Sequence, residues 1–204
     1  MAGLKQIKTK IRSVKKTRTV TKAMEAVSAV KMRKSQQRAF AGRAYARAAS
    51  SILARASGSR SFNAHPLTRG ADGAHLQKGW APSASLYIII TSDKGLAGAL
   101  NSGVLRAAHL DIGTNTNARI IAVGRKANDY FSKRGFNMVE YHPNADVLPT
   151  TLIERVVAEA ASRFVGGEID VVKMVYQNFI STFEQRPTMR TVFPLSLEEL
   201  QKAV

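Results

Sequence analysis

From Leu4 to Ala56 the chain runs through 53 positions without a proline and with one glycine, Gly42. Ala, Lys, Arg, Gln and Met dominate the stretch, and all favour helix. One uninterrupted helix of that length reaches about 80 Å, more than a domain of this size can bury. Its apolar positions are sparse: Ile7, Ile11 and Val14, then Val20, Met24, Val27 and Val30. Steps of three and four make a narrow stripe rather than the broad face of a core helix. A stripe this thin predicts pairing with another helix, as in a coiled coil, and the slip between Val14 and Val20 makes that pairing irregular.

Charge separates this stretch from the rest. Residues 1–60 hold sixteen Lys+Arg against one acid, Glu25, whereas residues 61–204 hold fifteen against thirteen. The resulting net charge of +17 implies an anionic partner: nucleic acid, acidic lipid or an acidic protein surface. Lys5, Lys8 and Lys10 crowd the helix start, where the dipole favours acids, so the negative charge is expected from outside the chain. No aromatic precedes Phe40, which removes base-stacking platforms, and the slim stripe suits a membrane surface poorly. An acidic protein partner is the stronger contender; a basic helical nucleic-acid-binding adaptor is the alternative. The chain has no Cys, which excludes disulfides, thiol redox control and cysteine-held metals. Its longest wholly apolar run, Leu86 to Ile90, is far short of a membrane span, and no signal core opens it, so a soluble intracellular protein is expected.

Residues 58–85, rich in Gly, Ser, His and Pro, read as a linker. Strand and helix patterns then alternate: Leu86–Thr91 strand, Leu96–Leu110 helix, Arg119–Val123 strand, Arg125–Arg134 helix, Asn137–Tyr141 strand and Leu152–Val165 helix. Two strands close the series, Ile169–Phe179 and Thr188–Phe193, the second bounded by Pro187 and Pro194. The alternation predicts an open α/β domain over residues 86–195. At the end, Ser196-Leu197-Glu198-Glu199 is a capping box with Leu195 and Leu200 placed as a staple. It announces a helix over 196–204 that the sequence leaves short, and the missing remainder is the expected partner of the first helix.

Catalytic constellations are not evident. His65, His75, His109 and His142 are scattered and read as solvated loop or surface residues, with no metal expected. The turn from Thr91 to Asn101 follows a strand and opens a helix, where phosphates often bind, but it matches neither glycine-rich phosphate motif. Gly95 and Gly98 are expected to allow a tight turn and close helix–sheet packing. A small-molecule site at Asp93–Gly98 is the competing reading, yet no second acid, His or nucleophile accompanies Asp93. The chain is not expected to be a free-standing enzyme.

The segment Thr19-Val-Thr-Lys-Ala-Met-Glu-Ala-Val-Ser-Ala-Val-Lys-Met-Arg-Lys-Ser-Gln36 closely resembles the N-terminal signature helix of gamma subunits of F-type ATP synthases. The opening Met1–Lys15, the turn from Ser92 through Leu96 to Leu100-Asn101, and the strand Tyr176-Gln-Asn-Phe179 resemble that family in the same order. The resemblance implies a long N-terminal coiled-coil helix (1–57) plus a Rossmann-like open α/β domain, and a C-terminal helix that is cut short here. It implies a non-catalytic central-stalk, or rotor-shaft, subunit without cofactors or nucleic acid. Such a shaft couples rotation of a proton-driven membrane c-subunit ring to conformational change in catalytic beta subunits. The implied partners are the alpha and beta subunits of the head, the epsilon subunit and the c-ring. The implied place is peripheral, on the cytoplasmic face of the cell inner membrane. Lys22, Met24, Lys31, Met32, Arg33 and Lys34 match the helix that faces the head; the basic ones are expected to meet acidic loops of beta, and Met24 to pack in the shaft. The lack of Cys excludes the thiol switch of chloroplast members and favours a bacterial type.

Overall fold

A computed structural model describes residues 2–57, 59, 62, 64–69, 82–144 and 147–196. The chain divides into two units, residues 1–48 and 49–204. The expected helix over 196–204, with Leu197, Glu198 and Glu199 of the capping box, lies outside the described residues, as does most of the 58–85 linker.

A single α-helix, α1 (Ala2–Ala56), fills the first unit and enters the second. No proline interrupts its hydrogen-bond ladder, and no described residue from Gly3 to Ser35 is even partly buried. Its regularity over this stretch therefore rests on helix propensity alone, since helices of globular proteins draw most of their stability from a packed face.

The second unit contains the one-turn helix α2 (Pro66–Arg69), then β1 (Ser85–Ile90), α3 (Leu100–Ile112), β2 (Ala118–Val123), α4 (Arg125–Ser132), β3 (Asn137–His142), α5 (Thr150–Val165), β4 (Val171–Phe179) and β5 (Gln185–Phe193). The five strands form one sheet in the order β3-β2-β1-β4-β5. The first four are parallel, and β5 returns antiparallel through a hairpin, so the α/β sheet is mixed. The strand period of two sends alternate side chains to opposite faces. On one face Tyr87, Ile89, Ile120 and Ala122 meet Val104 and Ala108 of α3 and Ala127 and Phe131 of α4. On the other, Leu86, Ile88, Ile121 and Val172 meet Val156, Ala160 and Phe164 of α5, with Leu67 of α2 alongside. Phe164 stacks on Phe193 at 5.6 Å between ring centres.

Three element boundaries differ from expectation for physical reasons. The helix after β1 begins at Leu100, not Leu96, because Leu96 (φ 61°) and Gly98 (φ 56°) hold left-handed backbone that no helix accommodates. Strand β5 starts at Gln185 and runs through Pro187, which the edge position permits because its missing N–H faces away from a neighbouring strand. One turn of helix, α2, sits within the stretch read as linker and contributes Leu67 to the core.

Candidate partner-contact surface

The six residues singled out on the signature helix all lie on α1 and are all exposed. Met24 is 54% exposed and Met32 49%. At about 100° per residue, Lys22 and Arg33 point within about 20° of one another, as do Met24 and Lys31, while Met32 and Lys34 take other directions. They ring the helix rather than share a face, over an axial length of about 18 Å.

The apolar side chains are arranged more pointedly. Leu4, Ile7, Ile11 and Val14 form one row, and Val20, Met24, Val27 and Val30 another; each of the eight is between 51% and 65% exposed. Counted round a straight helix, the two rows lie about half a turn apart. The slip in the stripe is thus a change of side. A single helix laid straight along one flank covers one row and leaves the other in water. Each covered side chain of this kind contributes on the order of 1 kcal/mol, so both flanks gain from being enclosed.

At the carboxyl ends of β1, β2 and β3, polar groups knit three loops together. Arg125 N–H donates to Asp93 Oδ1 (2.7 Å) and Asn144 N–H to the same oxygen (3.0 Å). The Arg125 guanidinium donates to Asp93 O (3.2 and 3.0 Å), and Asn144 Nδ2 to Thr91 O (2.7 Å). Ala127 N–H donates to Thr91 Oγ1 (2.9 Å), and Ser92 N–H to Asn101 Oδ1 (2.9 Å). Asp93 thus holds the α4 start and the β3–α5 loop together through Oδ1 and its backbone carbonyl. Close packing does not fall to Gly95 and Gly98: a Cβ on either would meet nothing within 4 Å. It falls to Gly124 (φ +110°), whose Cβ would press on the Thr91 carbonyl, and to Gly103, whose Cβ would lie 2.8 Å from Pro187 Cγ. Sequence reasoning missed both because the crowding groups are distant in the chain.

Two histidines expected in solvent are not there. His142 is 6% exposed, with Nε2 3.0 Å from Glu140 Oε2 and Nδ1 3.3 Å from an Arg155 nitrogen. Arginine only donates, so in the contact with Arg155 the Nδ1 atom is the acceptor. His109 packs edge-on against Tyr130 and Phe136 at 6.0 and 5.7 Å. His75 lies outside the described residues. Among the described residues no group of three or more His, Cys, Asp or Glu could hold a metal, and no helix is long and apolar enough to cross a membrane.

Two polar networks brace the α/β domain. Tyr87 O–H donates to Asp111 Oδ2 (2.7 Å), which also receives Lys173 Nζ (2.6 Å), tying α3 to β1 and β4. Burial, then the Asp111 bond and charge, push the Tyr87 hydroxyl well above the usual tyrosine range. Asp170 accepts from the Ser83 and Ala84 amides (2.7 and 2.9 Å) and the Ser83 hydroxyl (2.7 Å). Burial alone would raise its carboxyl, but those three donors outweigh it and hold it below the usual value.

A family model described as ATP synthase matches residues 3–203. The chain is 32% identical over 196 residues to the ATP synthase gamma chain of Pelotomaculum thermopropionicum, covering 95% of this chain and 66% of that one. It is 34% identical over 199 residues to the gamma chain of Phenylobacterium zucineum, again covering 95% and 66%. The chain thus spans about two thirds of the length of these curated relatives. Among solved structures, a chain of the Tetrahymena thermophila mitochondrial ATP synthase central stalk and c-ring shares the fold, with a TM-score of 0.50 at 19% identity over 79% of this chain and 74% of that one. A long, bare, cationic helix joined in sequence to a mixed α/β sheet, matched by that family almost from end to end, places this chain in the ATP synthase gamma-chain family.

Proposed function

We propose that the chain serves as a non-catalytic central-stalk subunit of a proton-translocating ATP synthase, passing torque from the membrane c-ring to the catalytic beta subunits. The observation that carries this reading is α1: exposed on every side from Gly3 to Ser35, with apolar rows on opposite flanks and cations between them. Such a helix suits a rod that neighbours enclose, one flank taking a second helix of an antiparallel coiled coil and the other the alpha and beta subunits. Lys22, Lys31, Arg33 and Lys34 meet acidic loops of beta through screened, salt-dependent attraction. Met24 belongs to the second row, so it packs against whichever neighbour covers that row. The α/β domain meets the epsilon subunit and the c-ring, and the complex holds the chain peripherally at the cytoplasmic face of the inner membrane. The polar knot around Asp93 supports a mechanical role, since its bonds tie the loops to one another. A nucleic-acid-binding role gains nothing from the fold or from the relatives.

Reconstitution tests the reading. Mixed with alpha and beta subunits of a bacterial relative, the chain is expected to co-purify with them and to raise their rate of ATP hydrolysis, while hydrolysing nothing alone. Failure to co-purify at low salt, or ATP turnover by the isolated chain, overturns it.

A further inference from the structure

Between the two apolar rows of α1, residues Lys15 to Thr19 carry no apolar side chain. Just there, four of the five residues from Thr17 to Thr21 are β-branched: Thr17, Thr19, Val20 and Thr21. Branching at Cβ costs rotamer freedom against the preceding turn and weakens helix propensity. The three threonine hydroxyls donate to carbonyls four residues back: Thr17 to Ser13 O (3.1 Å), Thr19 to Lys15 O (3.1 Å) and Thr21 to Thr17 O (2.9 Å). Each of those carbonyls also serves the helix ladder, and back-bonding of this kind destabilises and bends helices. Lys15, Lys16, Arg18 and Lys22 crowd the same stretch, with no acid before Glu25. Lys15 with Arg18, and Arg18 with Lys22, are like-charge neighbours on the helix surface. Every residue of the stretch is exposed, so no tertiary contact offsets these penalties. Thr9 makes the same bond to Lys5 O (3.0 Å), but alone, with Ile7 and Ile11 flanking it.

We propose that residues 17–21 are a hinge built into α1: one turn of low local stability that lets the segment bearing Leu4–Val14 swivel against the segment bearing Met24–Val30. The two apolar rows face opposite ways, and a hinge between them lets each row settle against its own neighbour without dragging the other. The hinge is a property of the chain itself and stands or falls apart from the rotor reading.

Residue-resolved hydrogen exchange on the full chain tests it. A uniform helix with a free N-terminus frays from that end, so protection climbs steadily from Gly3 inward. The hinge predicts a minimum instead: amides of residues 17–22 exchange roughly tenfold faster, after correction for intrinsic rates, than those of Lys8–Arg12 and Lys31–Ser35. Replacing Thr17, Thr19 and Thr21 together by Ala strengthens helix propensity, so the variant cannot lose the helix, and it is expected to erase the minimum. Thr9→Ala is expected to leave the minimum in place. Protection that rises without a dip, or a dip unchanged in the triple variant, overturns the proposal.

Discussion

Gly124→Ala isolates the role of the polar knot at the sheet's carboxyl end. Gly124 holds φ +110°, which costs an L-residue roughly 1–3 kcal/mol. The added methyl would also sit 2.6 Å from Thr91 C and 2.7 Å from Thr91 Oγ1, so Thr91 must move. Thr91 is 2% exposed and anchors three bonds: its N–H to Val123 O (2.8 Å), Ala127 N–H to its hydroxyl, and Asn144 Nδ2 to its carbonyl. Losing even one of these in a buried site costs about 1–3 kcal/mol more. The expected total is about 2–6 kcal/mol. Gly135→Ala is the control, because it shares a positive φ (+75°) but meets nothing within 4 Å, and should cost only about 1–2 kcal/mol. Urea unfolding followed by the near-ultraviolet signal of the tyrosines in the α/β domain measures both. Should Gly124→Ala lie within 1 kcal/mol of Gly135→Ala, the clash and the anchoring of three loops through Thr91 are refuted.

Phe164→Ala, which empties a 1% exposed site stacked on Phe193, should cost about 3–5 kcal/mol by the same urea assay. Asp170 has a carboxyl held low in the fold, so its stabilisation is present above the unfolded value of about 4 and fades as pH falls through the folded value. Asp170→Asn is therefore expected to be less stable at neutral pH and to show a flatter acid limb in unfolding midpoints taken from pH 7 down to about pH 2. Lys22→Glu with Arg33→Glu reverses charge on one exposed flank of α1. It should leave unfolding of the α/β domain unchanged, yet slow association with alpha and beta subunits by roughly tenfold at low salt, an effect that shrinks as salt is added, in binding kinetics.

The long helix was legible because nothing in residues 4–56 could break it, and propensity acts locally. The strands β1 to β3 fell within a residue or two of their pattern, since buried runs such as Leu86–Ile90 declare themselves. Less visible was whatever depended on residues far apart. The antiparallel return of β5 is settled by the hairpin and by Gln177 pairing with Pro187, while Pro187 on its own reads as a strand boundary. Gly103 and Gly124 look like any other glycines until Pro187 and Thr91 are brought against them. His109 and His142 look solvated until aromatic rings and Glu140 close over them. On α1 the slip after Val14 was visible as a broken heptad, but its meaning, a change of flank, emerges only once the helix is continuous through it.

The rim formed by β5 bears on solubility. A sheet's outermost strand normally offers unpaired amides on which a second copy can anneal. Pro187, the third of that strand's nine residues, removes one such donor near its start. Two identical rims brought together would meet a gap in the ladder. That break leaves the β5 rim of the α/β domain a poorer template for a second copy of the same strand.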